Sequence, residues 1–346
     1  MNGERMHTGS RPTLADVAAR AGVSSKTVSR VVNGEPHVSA AVTARVLRAI
    51  ADLDYRPDRR ARDLAAGPNA ERLIGFVQDD AATPFFGAVN RGLEHATTTR
   101  GLVVLSGSTD ADPERERALI KTMIEFRVEG LVVASAEGDD PVLRAETARG
   151  TAVACIDRVL EGATCDAVVS SNRDSTRRAV AHLCGIGHRR IAFLGGNLRV
   201  WTGRERHAGY HEAMLANGVD IDPALVVIDV DDVDRAARAT RRLLDSPRPP
   251  TAIFSAQDQI TTGAIIALHE RGRQHDIAMF GFDDIPFAGQ LSPAISTIVQ
   301  DPYQLGVRAG ELLLDRLADR SAKPARHVVL DAPLCHRQSG DIRPNE

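Results

Sequence analysis

Apolar residues recur at helical spacing three times within the first sixty positions. Leu14, Val17, Ala18 and Ala21 lie on one face of a helix that Thr13 can cap and Gly22 ends. Ser24 offers a new N-cap shortly after, and Val28, Val31 and Val32 mark the inner face of a second helix over 25–32. Asn33, Gly34 and Pro36 break the chain again. Ser39 then heads a third helix through Leu53, with Val42, Val46, Leu47, Ile50 and Leu53 predicted on its inner side. Two short helices joined by a tight turn containing glycine, with a third helix as packing partner, form a helix-turn-helix.

Beyond residue 70 the pattern changes. Aliphatic runs without polar alternation at 73–77, 102–105, 131–134, 152–156, 191–194, 252–255 and 277–280 read as strands covered on both faces. Helical patterns lie between them, among them 88–100, 114–126, 176–186 and 260–271. Repeated strand–helix winding predicts parallel sheets, and the number of strands suits two doubly wound halves better than one sheet. Ligands of such folds gather outside the carboxyl ends of the strands, here in the crevice between the halves.

Composition sharpens this picture. A chain of 346 residues exceeds one ordinary domain, and 43% hydrophobic with 26% charged residues is usual for a soluble protein. No apolar run approaches the roughly 18 residues of a membrane span, so no membrane partner is expected. The N-terminus is polar and lacks the apolar stretch of a signal peptide, which predicts the cytoplasm, in association with the nucleoid. Cys155, Cys165, Cys184 and Cys335 form no Cys-x-x-Cys pair and are expected as reduced, packed thiols rather than metal ligands. The net charge of −3 divides unevenly: residues 1–66 hold 11 Lys+Arg against 7 Asp+Glu, and the remainder 32 against 39. A basic head on an acidic body suits a small polyanion-binding module joined to something else.

A recognition helix offers its N-terminal residues to base edges in the major groove. In the second helix these are Ser25, Lys26 and Ser29, with Arg30 one turn beyond Lys26. Lysine and arginine donate to the acceptors of guanine, and Lys26 is one of only three lysines among 43 basic residues. Thr13, Ser24, Thr27 and the helix N-termini are candidates for phosphate contacts, which orient without specifying sequence. On these residues alone, the polar coat of a small helical bundle is an equal alternative. Residues 58–66 follow as a segment long enough for one or two helical turns, too short to be stable without DNA or a partner chain. Its Arg59, Arg60 and Arg62 suit flanking phosphates.

Signatures of catalysis are missing. No Gly-x-Gly-x-x-Gly follows the first strand, no Gly-Lys-Ser/Thr loop occurs, and there is neither a Gly-x-Ser-x-Gly elbow nor a His-Glu-x-x-His pair. The acidic pair Asp283-Asp284 lacks a matching base. The chain is therefore not expected to be an enzyme, and no cofactor is implied.

The stretch from Thr13 to Pro57, TLADVAARAGVSSKTVSRVVNGEPHVSAAVTARVLRAIADLDYRP, closely resembles the DNA-binding head of the LacI/GalR (lactose-repressor) family. The resemblance continues more loosely through Thr83-Pro84-Phe85-Phe86, Ile156-Asp157-Arg158, Gly187-His188-Arg189-Arg190-Ile191, Arg206-His207-Ala208-Gly209-Tyr210, Gly281-Phe282-Asp283-Asp284 and Gln300-Asp301. It implies an α/β protein with a three-helix helix-turn-helix head (1–57), a hinge helix and linker (58–70), and a two-lobed, doubly wound body (71–346) resembling periplasmic sugar-binding proteins. Lobe 1 would span about 71–167 and 298–330, and lobe 2 about 168–297 and 331–346.

The same resemblance assigns roles. Ser25, Lys26 and Arg30 would read bases, and Leu64 would wedge into the minor groove and bend the duplex. Asp58, where Asn or Ser is usual, and Asp63 add acid beside that groove and lower the affinity expected of the hinge. In the cleft, Arg206 would clamp the ligand with its planar fork, and Asp283 would accept from ligand hydroxyls or amines. Phe85 and Phe86 would make apolar contacts, with Arg158, Thr202 and Gln300 as further lining and Trp201, the lone tryptophan, beside them. An Arg206–Asp283 salt bridge and aromatic core packing are the structural alternatives.

The body also departs from the pattern. Gln257, a further ligand-lining position, stands for a common Asn and lengthens that contact by a methylene. Ser171-Asn172 stands for an Asp-Asn after the sixth body strand and Ser175 for a glycine, and the loop Gly272-Arg273-Gln274-His275-Asp276 is about two residues shorter than usual and lacks its proline. The implied function is a repressor of catabolic genes, homodimeric on a palindromic operator in double-stranded DNA and modulated by a small, sugar-like effector. The chain ends without an apolar heptad tail, which predicts a dimer rather than a tetramer. A sugar-binding transport protein and a doubly wound enzyme are the alternatives from other classes.

Overall fold

The structure, a computed structural model, describes residues 12–32, 38–53, 55, 72–162, 165–319 and 324–345. Arg59 and Leu64, with Asp58, Asp63 and the break at Asn33, Gly34 and Pro36, lie outside the described residues. The chain divides into a head, 1–71, and a body, 72–346.

The head holds α1 (Leu14–Ala21), α2 (Ser25–Val32) and α3 (Ala40–Asp52). Thr13 and Asp16 form a reciprocal capping box at the start of α1, and Gly22 ends it in the left-handed conformation, φ 63°. Val17, Ala18, Ala21, Val28, Val46, Ala49 and Tyr55 form the core. Leu47 corrects one expectation: it is 54% exposed, whereas Ala49 is buried. At about 100° per residue Leu47 lies a quarter-turn round from Val46, outside the face shared by Val46, Ala49 and Ile50.

The body contains two six-stranded sheets. The first holds β1 (Arg72–Gln78), β2 (Leu102–Ser108), β3 (Gly130–Val133), β4 (Ala152–Ile156), β5 (Asp166–Ser170) and the late strand β11 (His327–Leu330), in the order β11-β5-β4-β3-β1-β2. The second holds β6 (Ile191–Leu194), β7 (Val226–Val227), β8 (Ala252–Ser255), β9 (Ala278–Phe282), β10 (Ser296–Ile298) and β12 (Leu334–Cys335), in the order β12-β10-β9-β8-β6-β7. All pairings are parallel except β10 with β12. Each sheet has helices between its strands: α4 (Pro84–Thr98), α5 (Pro113–Glu125) and α6 (Pro141–Ala148) in the first lobe, and α8 (Trp201–Ala216), α9 (Val233–Leu244) and α10 (Asp258–Glu270) in the second.

The chain crosses between lobes three times: from β5 into α7 (Asn172–Gly185), from β10 into α11 (Pro302–Ala318), and from β11 to β12. The first crossing falls after Ser170 rather than at residue 167, because β5 keeps its pairing with β11 through Ser170. It follows the fifth body strand, not the sixth. The seven expected strands are all present, but β5, β7, β10, β11 and β12 were not among them. Three of these sit at sheet edges, and β5 opens with the charged Asp166. That aspartate is fully buried and accepts from Arg316 of α11 and from both the backbone and side chain of Arg326. Arg316 and Arg326 hold its carboxyl down to about 2 against the cost of burial, so the returning segment is ionically locked onto the first sheet.

Close helix pairs stiffen both lobes. A Cβ on Gly92 of α4 would collide with the Tyr303 carbonyl of α11, and one on Gly306 of α11 with the Val89 carbonyl of α4. Gly209 of α8 meets the Arg173 carbonyl in the same way, and Gly263 of α10 that of Val233. Gly306→Ala should therefore lower the stability of the body, toward the upper end of about 1–3 kcal/mol for overpacking. Gly87→Ala in α4, where a Cβ meets nothing within 4 Å, should instead be neutral or stabilising by up to about 1 kcal/mol. Urea midpoints of the two variants test this; equal midpoints would remove backbone contact as the reason for the glycines.

Candidate binding cleft and DNA-reading surface

Both sheets reverse their order of addition beside their first strand, at β1/β3 and at β6/β8, the position where doubly wound sheets bind ligands. The polar residues of the body converge at the carboxyl ends of these strands. Arg206, in α8, is 5% exposed. Its Nε donates to Asn172 Oδ1 at 2.7 Å and its Nη1 to the Ala256 carbonyl at 2.6 Å, just past β8. The guanidinium lies 3.7 Å from the ring centre of Phe282, and Nη1 is 3.9 Å from Asp283 Oδ2. Burial pushes Arg206 below the usual guanidinium range, with Asp283 and Asp157 opposing that shift.

Asp157 follows β4 and Asp283 follows β9, the fourth strand in the winding order of its own sheet in each case. Both are non-glycine residues in the left-handed region, at φ 64° and 72°. Burial raises both carboxyls above their ordinary range, Asp283 to about 6, with the neighbouring arginines pulling the other way. Gln300 Nε2 donates to Asp283 Oδ1 at 2.5 Å. On the lobe 1 side, Arg158 donates to the Ser135 carbonyl at 2.9 Å and to Asp79 Oδ2 at 2.8 Å. Two buried side-chain oxygens here, Gln78 Oε1 and Gln300 Oε1, have no hydrogen-bond partner among the described residues, and Arg158 Nε has only a long ion-pair contact to Asp157 Oδ2 at 3.5 Å. A ligand carrying both donors and acceptors would complete such a set.

The expected cleft residues divide into groups. Arg206, Asp283, Gln300 and Arg158 belong to this polar cluster. Arg206 and Asp283 are a loose ion pair at 3.9 Å, so the salt-bridge alternative is present in part and leaves the second carboxylate oxygen of Asp283 to Gln300. Thr202 is buried and Trp201 half-buried in the first turn of α8. In that turn Arg204 reaches across to Glu161 of lobe 1. Gln257 caps α10 without a side-chain hydrogen bond and faces Gly196. Phe86 sits in the lobe 1 core against Phe76, with ring centres 6.5 Å apart, as the core-packing alternative has it. Phe85 is half-buried and meets Phe86 edge-on.

Ser171 and Ser175 have a different role from pocket lining. Their hydroxyls lie 2.8 Å apart; Ser175 donates to the Ala332 carbonyl, and Ser171 accepts from the Ala332 amide. They stitch the first crossing to the third. Sequence reasoning did not single out Gln78, Asp79, Asp157, Asn172 or Phe282 as cleft residues. The available signal was position: each stands at or just past the carboxyl end of a strand.

In the head, Ser24 caps α2: its hydroxyl accepts from the Thr27 amide at 3.2 Å and shares a hydrogen bond with the Thr27 hydroxyl at 2.9 Å. The Thr13 hydroxyl is engaged with Asp16. Ser25, Lys26 and Arg30 are exposed and Ser29 is half-buried, on the N-terminal half and outer side of α2.

A family model described as "Bacterial regulatory proteins, lacI family" matches residues 13–58, and one described as "Periplasmic binding protein-like domain" matches 180–340. The HTH-type transcriptional regulator CelR of Thermobifida fusca is 33% identical over 338 residues, which cover 95% of this chain and 98% of that protein. The solved complex of transcriptional regulator CelR with cellobiose is similar at a TM-score of 0.69 and 31% identity, covering 95% of this chain and all of its own. The lac repressor dimer bound to operator and the anti-inducer ONPF gives 0.69 at 30% identity, covering 96% and 99%. Among the described residues, no helix is long and apolar enough to cross a membrane.

The electrostatics of Asp283 carry a testable sign. Its carboxyl should titrate near pH 6 in the ligand-free protein, followed by carboxyl carbon NMR. Gln300→Leu should move that midpoint further up, since the lost amide donor favoured the ionised form. Because the folded value is raised, the stability this group contributes is full below its unfolded pKa of about 4 and lost as pH rises through about 6. A midpoint near 4 would contradict the burial of this carboxyl.

Proposed function

The chain belongs to the lacI family of bacterial regulatory proteins and is a DNA-binding transcriptional regulator rather than an enzyme; from that premise we propose that it represses catabolic genes and that a neutral polyhydroxylated effector, sugar-like, binds between the body lobes. The observation that carries the effector class is the charge balance of the cleft. Two guanidiniums, Arg158 and Arg206, face three carboxylates, Asp79, Asp157 and Asp283. An anionic ligand would meet no uncompensated cation there. A ligand with vicinal hydroxyls both donates to Asp283 and the Gln oxygens and accepts from Arg158 Nε. Phe85 and Trp201 are proposed to pack against the apolar face of its ring. The CelR–cellobiose complex supports the class.

On DNA, Lys26 and Arg30 are proposed to read bases from the major groove with Ser25 and Ser29, while Thr13, Ser24 and Thr27 meet phosphates. Arg59 and Leu64 are proposed to contact phosphate and the minor groove. One helix-turn-helix spans too few bases for specificity, so two chains on a palindromic operator complete the reading; the lac repressor dimer on its operator supports this. Effector binding acts by favouring one angle between the lobes, and shifts operator affinity only by as much as it prefers that state.

A gel shift with a palindromic operator, modulated by candidate sugars, tests the whole reading; turnover of the sugar without any DNA affinity would overturn it. Lys26→Ala should cost about 1–3 kcal/mol of discrimination at one symmetric operator position. Uniform weakening across all sequences would make Lys26 a phosphate contact instead. Arg206→Ala should bind operator as the parent does and lose the effector response, read as the loss of a thermal shift worth about 2.7 kcal/mol at a hundredfold excess over Kd. A variant that fails on operator yet still responds to sugar would assign Arg206 a structural role.

A further inference from the structure

We propose that His182, His336 and Asp341 form a transition-metal site that clamps the C-terminal segment onto α7. This site lies in lobe 2, and the proposal is independent of the effector reading. His182 stands in the last turn of α7, half-buried, with Nε2 3.0 Å from the Gly340 carbonyl and 3.1 Å from Asp341 Oδ1. The His336 ring meets the His182 ring edge-on, centres 4.6 Å apart. One ligand atom from each of the three groups lies within 4.8 Å of the other two, the one such grouping of three among the described residues.

The backbone that presents these side chains is held on every side. β12 pairs with β10 through Leu334 and Cys335. Arg337 binds Asp284, and Ser339 donates to the Met279 carbonyl. His188 Nε2 lies 2.8 Å from the Ile342 carbonyl, and Ile342 packs on the lobe 2 core. The fixed elements are thus the helix and the segment, whereas the His336 and Asp341 side chains are exposed and have room to turn. Closing from 4.8 Å to the ligand–ligand spacing of a metal with bonds of about 2.0–2.2 Å is a side-chain movement, with no change of backbone.

Two imidazoles and one carboxylate suit Zn²⁺, Ni²⁺ or Co²⁺, whereas Mg²⁺ and Ca²⁺ require oxygen donors throughout. Solvent exposure leaves the remaining coordination positions to water. The metal would bind the Nε2 lone pair of His182 as the neutral Nδ1–H tautomer, the proton that Nε2 gives to Gly340 moving to Nδ1, and coordination would take the place of the Nε2 contacts to Gly340 and Asp341. The second imidazole pair of the lobe, His207 and His211 with Nε2 atoms 3.1 Å apart on α8, is not part of such a group of three and serves as the internal control.

The test titrates the full chain with zinc sulfate against a chromophoric zinc chelator. One equivalent should bind per chain and raise the melting temperature. His336→Ala and Asp341→Ala, both at exposed positions and so expected to fold, should each weaken that equivalent by about tenfold or more, and His211→Ala should leave it unchanged. Amide exchange of residues 336–342 should slow with zinc in the parent and not in His336→Ala. Absence of a bound equivalent, affinity unchanged in His336→Ala, or its loss in His211→Ala would each overturn the proposal and leave His182–Asp341 as a hydrogen-bonded clamp.

Discussion

The cleft depends on one buried cation. Removing the Arg206 guanidinium from water is costly unless every donor is met and the charge is compensated. Lobe 2 supplies most of the compensation: Asn172 at the start of α7 accepts from Nε, the Ala256 carbonyl at the end of β8 accepts from Nη1, and Phe282 presents its ring face. Asp283 supplies charge from lobe 2, and Asp157 supplies more from the far side of the cleft. Because one of the compensating carboxylates belongs to the other lobe, the solvation of Arg206 is coupled to how the lobes sit on each other. That coupling places the cost of changing the angle between the lobes at the cluster proposed to hold the effector.

The two carboxylates reveal an internal correspondence. Asp157 and Asp283 occupy equivalent strand ends in two sheets wound alike, and both hold a left-handed backbone that aspartate tolerates better than most residues but still at some cost. Strain of this kind persists where the surroundings over-determine it. Here each aspartate stands just past its strand end beside an arginine, Asp157 by Arg158 and Asp283 by Arg206, and both carboxylates act on the buried Arg206.

Much of this was legible in the sequence, for identifiable reasons. The head follows from periodicity and capping residues, which are local; among the described residues it departs from expectation at Leu47, where a neighbour in sequence is a quarter-turn away in space, and at Ser39, expected to cap α3 but without a side-chain cap hydrogen bond. The seven long aliphatic runs became strands. β5 escaped because its buried Asp166 breaks the apolar pattern, and its partners Arg316 and Arg326 lie about 150 residues later in the chain. β7, β10 and β12 are two or three residues long, below the length at which alternation carries information. In the cleft, Arg206 and Asp283 came through resemblance, whereas Asp79, Asp157 and Asn172 matter only because three separate crossings bring strand ends together. No local pattern encodes that meeting. Ser171 and Ser175 show the same limit: the departure from the family pattern is local, and the hydrogen bonds that use it join two crossing segments far apart in the chain.

Those crossings decide what moves. Within each lobe, backbone-to-backbone helix contacts at Gly92, Gly306, Gly209 and Gly263 leave little room for shear. The Asp166 carboxylate, between two arginines, fixes the returning segment to lobe 1. Between lobes, the described residues show the three crossings, stitched by serine hydroxyls and Arg178–Asp331 at the first and third, and the exposed ion pair Arg204–Glu161, of the sort that contributes little in water. Rigid halves joined by short crossings and a weak latch leave the angle between the lobes as the freedom that the proposed effector would use. On that proposal, a neutral ligand would leave the Arg206 charge balance unchanged and would act on the angle through its hydrogen bonds to Gln78 Oε1 and Gln300 Oε1, buried atoms without a partner among the described residues.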